Sequence, residues 1–581
     1  MNSKTPKFNK LLKEAYDNIR SPFESTCSES GQKYYFSQEQ IEMYKKLEVP
    51  IPNVSPLISD KRQRAYIPGL ELFKRDLATG QKGAITMYDP ESKVVVWDNT
   101  EWYSDNFNGL NYGVTSNPDN LFFDQWKKLS WQTPRLSISN SPNNINSPWV
   151  VNAAKCQNCY FNHGGINNEE LIYCDFCARV NHSIGSAGVV NSEYTFDSIQ
   201  CDQSSNLFTC ERCEGGLNLY FCLGCRNCSD CFGCVNLFRK KFCFFNEQLT
   251  EEEYRKKIAD IDLGDRNVYQ DYKQKALAIW DTSVRCAYRQ FSCENVIGDD
   301  VARSNNAIAN FAIYIENSYD IFDASVIKHS CNISTANNLE YCYNCTSVEE
   351  SYGCKMCLTC TACSNVEYCE QCFDCEYCFG CIGLRHKKYC ILNVQYTEDE
   401  YWIMLDKIKY SMLKRGEYGN FFPYASSLLA YNTTSAMFFA PSSKENIERI
   451  GGRWYDLKKN NEINDNMEIS EVPLNIKDAD DSILKKIFKC PQSHRTFRII
   501  KPELDFYRQH HIYLPNYHPN VRRQLNIERL LPIYFEKFDC NQCHRESYKQ
   551  IKEKDNGKLY CDVCYEDHLI NNVDLKKQGR S

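Results

Sequence analysis

Cysteines recur at every third residue through Cys222, Cys225, Cys228, Cys231 and Cys234, with a sixth at Cys243. The same ladder returns at Cys369, Cys372, Cys375, Cys378 and Cys381, followed by Cys390, at a constant offset of 147 residues. Both copies close alike, in CFGCVNLFRKKFCFFNEQLTEEEY (231–254) and CFGCIGLRHKKYCILNVQYTEDEY (378–401). A repeated unit that cannot bury its own apolar face must stack on its neighbours, so a repeat constrains the fold more than local propensity does. The centre of this chain is therefore a duplicated, cysteine-studded module.

Short runs such as NSEYTFDS (191–198), NLFTCERC (206–213), NLEYCYNC (338–345) and NVEYCEQC (365–372) fill this region. Each offers a brief strand after Asn or Ser, and the aromatics fall about 13–22 residues apart. Strands of that length between Asn, Ser and Gly suit a parallel β-solenoid. Its inward positions must be small and apolar, and a thiol behaves as a small hydrophobe. Stacked core thiols are thus the preferred reading of the 28 cysteines from Cys156 to Cys390. Zinc or iron–sulfur ligation and disulfides are the alternatives. Thr250-Glu-Glu-Glu253 and Thr397-Glu-Asp-Glu400 are capping boxes that start a helix after each copy. Further helices are expected at Phe122–Leu129, Tyr269–Trp280 and Tyr401–Leu413, with another capped from Ser442.

A second duplication frames the first. Residues 24–105 and 487–568 align at an offset of 463, placing Cys27 on Cys490, Tyr34 on Phe497, Tyr44 on Tyr507 and Pro52 on Pro515. Leu77, Gly80, Asp98 and Glu101 fall on Cys540, Cys543, Cys561 and Cys564. The predicted fold is mainly β with added helices: a duplicated, Cys-rich parallel β-solenoid flanked by two zinc-ribbon-like α+β modules. Along the chain this gives a degenerate ribbon-like module at 24–105 and an aromatic segment and linker at 106–149. Solenoid copy 1 takes 150–262, a helical connector 263–285, and copy 2 with its closing helix 286–415. A second aromatic segment and linker (416–486) leads to the last module, 487–568.

A chain of 581 residues exceeds one hydrophobic core, so several domains are expected. The net charge of −7 argues against a globally nucleic-acid-binding protein. Residues 485–581 nonetheless hold 19 Lys and Arg against 12 Asp and Glu. The first twenty residues lack a signal-peptide apolar core, and no apolar run reaches membrane-spanning length. A cytoplasmic, reducing location is expected, in which thiols persist.

The strongest local chemistry is Cys540-Asn-Gln-Cys543 followed, after 17 residues, by Cys561-Asp-Val-Cys564. Two such knuckles can hold one Zn²⁺ tetrahedrally, and a closed four-cysteine set is structural rather than catalytic. A weaker second set is Cys490, His494 and His518, in which Val521 stands where a fourth ligand is needed. Familiar catalytic signatures are absent: there is no HExxH, GxGxxG, GxxxxGK[ST] or GxSxG. Asn162-His163-Gly164-Gly165 reads as a turn. Trp102, Trp126, Trp131 and Trp454 are candidates for a stacking surface, with core packing between modules as the commoner use.

The segments WYSDNFNGLNYG, LFFDQWKKL and TPRL (102–136), CFGCIGLRHKKYCILNVQYTEDEY and GEYGNFFPYASSLLAYN (416–432), followed by Trp454, resemble a family of cysteine-rich zinc-ribbon proteins of candidate-phyla (Patescibacteria-like) bacteria. The resemblance implies metal at the last module and a second ligand set there, drawn from His494 or Ser493, His518 and Val521. It also implies cysteines in the amino-terminal module, where this chain has Leu77, Gly80, Asp98 and Glu101. Some members carry a CoA-transferase (CaiB/BaiF) designation, but this chain lacks a doubly wound α/β pattern and an identifiable catalytic carboxylate. The expectation is a non-enzymatic, zinc-binding scaffold with a protein partner. One alternative is RNA or ribosome association through Arg522, Arg523 and Lys537. Another is a thiol-redox or carbohydrate-acting β-helix enzyme.

Overall fold

The structure, a computed structural model, describes residues 4–19, 23–36, 38–140, 143–298, 301–316, 321–328, 334–339, 346–349, 358–457, 469–530, 535–550 and 557–574. The β-solenoid is present. Its period is 12 residues, stepping by 11 only in the first coils of copy 2, not the irregular 13–22 read from the aromatics. Strands pair in parallel at that offset, with Asn181 beside Glu193, Glu193 beside Ser205, Ser205 beside Leu217, Leu217 beside Ser229 and Ser229 beside Lys241. In copy 2 the same offset joins Ser334 to Thr346, Thr346 to Leu358, Leu358 to Glu370 and Glu376 to Lys388.

Each coil has four sides of three residues, and each triplet does the same work. The first residue donates its N–H to the next coil, as in Leu223 N to Cys234 O at 2.9 Å. The second sits in the left-handed region and donates to the preceding coil, as in Asn227 N to Glu214 O at 2.8 Å. From Asn152 to Phe245 every third residue has a positive φ without exception, and only six of these are glycine. A left-handed non-glycine residue costs roughly 1–2 kcal/mol, so the ladders on both sides must hold each corner in place. The third residue points inward. That position carries all the ladder cysteines of both copies.

Stacking at 12 residues sorts the interior of copy 1 into four columns. One runs Asn162, Cys174, Ser186, Ser198, Cys210, Cys222, Cys234; another runs Cys177, Val189, Cys201, Cys213, Cys225. The inward residue's own N–H also faces the interior, where no backbone acceptor waits. The side chain one coil earlier accepts it. Asn162 Oδ1 accepts from Cys174 N (2.9 Å), Ser198 Oγ from Cys210 N (3.2 Å) and Cys234 Sγ from Asn246 N (3.4 Å). In copy 2, Cys381 Sγ accepts from Asn393 N (3.5 Å). Each thiol in turn donates to carbonyls two residues back and nine ahead, as Cys234 does to Phe232 O and Cys243 O, both at 3.4 Å. Cysteine suits this position because it is small, apolar enough to bury, and both a weak donor and a weak acceptor. Both copies end on an asparagine that clamps the preceding coil: Asn246 brackets Val235, and Asn393 brackets Ile382. Helices Glu251–Ala259 and Glu398–Lys414 then start from complete capping boxes on Thr250 and Thr397. The later short helix is capped by Ser443, one residue beyond the expected Ser442.

The chain forms two compact units, neither continuous in sequence. One contains 1–138, 288–455 and 533–535; the other contains 139–287, 456–532 and 536–581. Each end module thus shares a unit with the solenoid copy remote from it in sequence order. In the first unit, helix Pro6–Asp17 meets helix Glu398–Lys414, where Asp406 accepts from Phe8 N at 2.9 Å. Phe122 packs on Gly380 of the solenoid, where a Cβ would lie 2.8 Å from the ring. Arg135 pairs with Glu370 (2.8 Å), and Lys409 with Glu367 (3.0 Å).

In the second unit, an aromatic and aliphatic column (Ile184, Phe196, Phe208, Phe232, Phe244) forms a core with helix Arg266–Trp280 and the last module. The adjoining side meets helix Pro519–Arg529. Arg523 grips Asp175 with Nε at 3.0 Å, and Arg529 reaches Asp197 at 2.8 Å. Lys273 also pairs with Asp197 (2.5 Å). Arg523 and Asp175 are both buried. A buried ion pair is close to break-even against apolar packing. Asp175 is stacked between His163 and Ala187. The double variant Asp175→Val/Arg523→Met is therefore expected to cost under about 1 kcal/mol in denaturant unfolding, whereas Arg523→Ala alone costs roughly 3 kcal/mol because it strands the carboxylate.

Candidate metal centre

The four cysteines Cys540, Cys543, Cys561 and Cys564 come together, with all sulfurs within 4.8 Å of one another. Strands Phe535–Asp539 and Glu546–Gln550 form a hairpin, and Cys540 opens its turn. Cys540 N donates to Arg545 O (3.0 Å), His544 N donates to Cys540 O (2.9 Å), and His544 takes φ 58° to let the chain turn. The other half is strand Leu559–Tyr560 running into helix Asp562–Asp574, so Cys561 and Cys564 sit at a helix start. Asn541 ties the halves: its N–H donates to Leu559 O (3.0 Å), and its side chain accepts from Leu559 N (2.7 Å).

Cys543 Sγ and Cys561 Sγ are 3.9 Å apart. A zinc–sulfur tetrahedron with bonds of about 2.3 Å has an edge of roughly 3.8 Å. The donor set therefore fits a tetrahedral soft or borderline divalent ion. Burial raises the Cys540 thiol, but the N–H groups of Cys543, Cys561 and Gln542 outweigh it and hold the group at about 6. Burial and its sulfur neighbours push Cys564 up. Cys540 and Cys564 are buried, while Cys543 and Cys561 are partly open.

The same turn occurs twice more without the full donor set. Cys490 N donates to Arg495 O (2.9 Å) and Ser493 N to Cys490 Sγ (3.5 Å). Cys27 N donates to Gln32 O (2.9 Å), with Ser30 N (3.5 Å) and Ser55 N (3.3 Å) both donating to its sulfur. These turns place Ser493 and Ser30, not His494, where the metal centre has Cys543. His494 is exposed at φ 57°, the corner that Gly31 and His544 occupy in the other two turns. His518 caps helix Pro519–Arg529, its Nδ1 accepting from Asn520 N at 3.1 Å. Among the described residues, Cys490, His494 and His518 do not converge as ligands; the one converging group is the four-cysteine set. In the amino-terminal module Leu77 is core, and Asp98 caps helix Asn99–Tyr103 through Glu101 N (3.0 Å).

The cap makes His518 a pH-sensitive point. Burial first, then Arg495 and Arg522, lower its imidazole from 6.5 to about 3. The folded protein binds this proton less tightly than the unfolded chain. The contribution to stability is complete above about 6.5 and is lost as pH falls toward 3, at up to about 1.4 kcal/mol per pH unit. Urea titrations of wild type and His518→Asn across that window should diverge, with the variant showing the flatter profile.

The remaining candidates are structural. All 29 described cysteines are free thiols. Nearly all the solenoid thiols are buried and engaged with carbonyls, which leaves no exposed redox pair in the described ladder. None of these residues is paired in a disulfide. Cys331, Cys342, Cys345, Cys354 and Cys357 lie outside the described residues. Of the Asn162–Gly165 run, His163, Gly164 and Gly165 lie in a solenoid strand, His163–Ile166, and His163 packs edge-on against Phe176. Trp102 and Trp126 are fully buried, while Trp131 and Trp454 pack on core clusters, so the four are not a stacking surface. Arg522 is bound to Glu503 (2.9 Å) and Tyr507 (2.9 Å), and Arg523 to Asp175. These two arginines are internal partners rather than a phosphate-binding face; Lys537 is exposed and paired with Glu546 (2.8 Å). Sequence reading also missed Cys286, which joins the core around the metal centre through pairing with Tyr560. Only its neighbourhood in space identifies it.

Fold and site define a cysteine-lined β-solenoid protein with a four-cysteine cluster that could hold a metal ion. No family profile and no curated protein matches the sequence. No helix among the described residues is long and apolar enough to cross a membrane.

Proposed function

We propose that this chain is a non-enzymatic scaffold whose last module is a zinc-ribbon-like element, stabilised by one structural zinc on Cys540, Cys543, Cys561 and Cys564. The four converging sulfurs carry this reading. A closed thiolate set has no position for substrate or activated water. The acidic residues on the two covered solenoid sides support the same view. Asp175, Asp197 and Glu211 answer Arg523, Lys273, Arg529 and Arg285, so they neutralise module cations rather than form an acid/base pair. Rows such as Asn206, Asn218 and Asp230, hydrogen-bonded at 3.1 Å along the coils, make the kind of long repeated face that suits an extended protein partner. The family resemblance and a cytoplasmic setting belong to this proposal.

The test is cross-linking of the zinc-loaded full chain in its native extract. A stoichiometric protein partner retained at high salt supports the reading. A partner fraction dominated by RNA and lost steeply with salt would favour nucleic-acid association instead.

A further inference from the structure

We infer that the solenoid positions half of the metal centre: Gly224 and Asn236 seat Tyr565 and thereby hold Cys561 and Cys564 in ligating position. This rests on the zinc reading above and extends it to residues that touch no metal. Tyr565 follows Cys564 directly and is buried. Its hydroxyl donates to Asn236 Oδ1 at 2.7 Å, and Asn236 Nδ2 donates onward to Val284 O at 2.8 Å. Gly224 lies under the same hydroxyl, where a Cβ would come within 2.4 Å of the Tyr565 oxygen and 2.7 Å of Asn236 Oδ1. The next residue, Glu566, pairs with Arg226, whose guanidinium also lies 5.8 Å from the Tyr565 ring centre.

The chain before the ligands is held as well. Arg285 N donates to Lys558 O (2.8 Å) and Ala287 N to Tyr560 O (2.9 Å). Gly557 fits against Ser283 O, which a Cβ would approach to 2.3 Å. Residues 557–566 are thus fixed on both sides of Cys561 and Cys564 by contacts independent of any cation. The partner half, Cys540 and Cys543, rides on a hairpin that meets this segment at Asn541–Leu559 and at Cys561 N to Cys540 Sγ (3.3 Å). A preformed half-site lowers the ordering cost of binding, and outer-shell partners of this kind are worth about 10–100-fold in metal affinity.

The test is zinc affinity of the full chain by chelator competition, with the cobalt(II) thiolate spectrum as a second readout. Gly224→Ala should weaken zinc at least tenfold while retaining the tetrahedral cobalt spectrum at saturation. Tyr565→Phe should weaken it less, and Gly224→Ala/Tyr565→Phe should bind more tightly than Gly224→Ala alone, because the nearest clash is gone while that with Asn236 Oδ1 remains. Gly185→Ala is the control: it has the same left-handed strain, φ +58°, with nothing within 4 Å of the added carbon. It should bind as wild type. Wild-type zinc binding with Gly224→Ala within twofold of it, or an equal loss in Gly185→Ala, overturns the inference alone. A wild-type chain that takes up no zinc overturns the inference together with the reading beneath it.

Discussion

Cys561→Ser should abolish stoichiometric zinc and release the hairpin Phe535–Gln550, whose amide exchange should rise to nearly that of an unstructured peptide. The sulfur is central: it lies 3.9 Å from Cys543, and its own N–H donates to Cys540 Sγ. Structural zinc supplies about 10 kcal/mol or more of apparent binding energy, and this hairpin has little else to replace it. Its charged pairs, Lys537–Glu546 and Lys549–Glu536, are largely exposed and contribute little. The solenoid should keep its protection, because its ladders do not pass through the centre. Exchange measured with and without chelator gives the same comparison. Equal protection of the hairpin in both states would show that packing, not metal, holds it.

Cys234→Ala and Cys381→Ala should each cost about 2–4 kcal/mol in chemical denaturation. Alanine removes the sulfur's packing and also orphans a buried N–H, of Asn246 in one copy and Asn393 in the other. Serine at the same positions should lose less than half as much. The solenoid already uses serine this way: Ser198 Oγ accepts from Cys210 N, and Ser204 Oγ from Gly216 N at 2.9 Å. If these sulfurs acted only as space-filling hydrophobes, serine would be the worse substitute. Equal losses for alanine and serine would reject the acceptor role.

The contrast between these residues shows what a sequence of this kind discloses. The inward cysteines, the capping boxes and the four clustered cysteines were legible because each imposes a residue type at a set spacing. The 12-residue coil was not. Its left-handed corners accept Asn, Arg, Phe and Tyr alike, as Asn218, Arg212, Phe221 and Tyr194 illustrate, so no single letter marks the corner. The aromatic period was misread because Tyr194 sits at a corner while Phe196 sits on a covered side; mixing the two columns blurs the spacing. The pairing of each end module with the remote solenoid copy was also hidden. It rests on partners such as Arg523 with Asp175 and Asp406 with Phe8 N, far apart in the chain and ordinary in type. His494 is a ligand candidate in sequence only through its company with Cys490 and His518; in the fold it stands at a turn corner with φ 57°.

The proposed role of sulfur here is to build shape, through hydrogen-bonded thiols in the coils and one metal knot in the last module. Native mass spectrometry of the intact chain tests it most directly. The expected mass is that of the fully reduced 581-residue polypeptide plus a single zinc. A second metal, an iron–sulfur cluster, or a mass deficit from disulfides in the coils would contradict it.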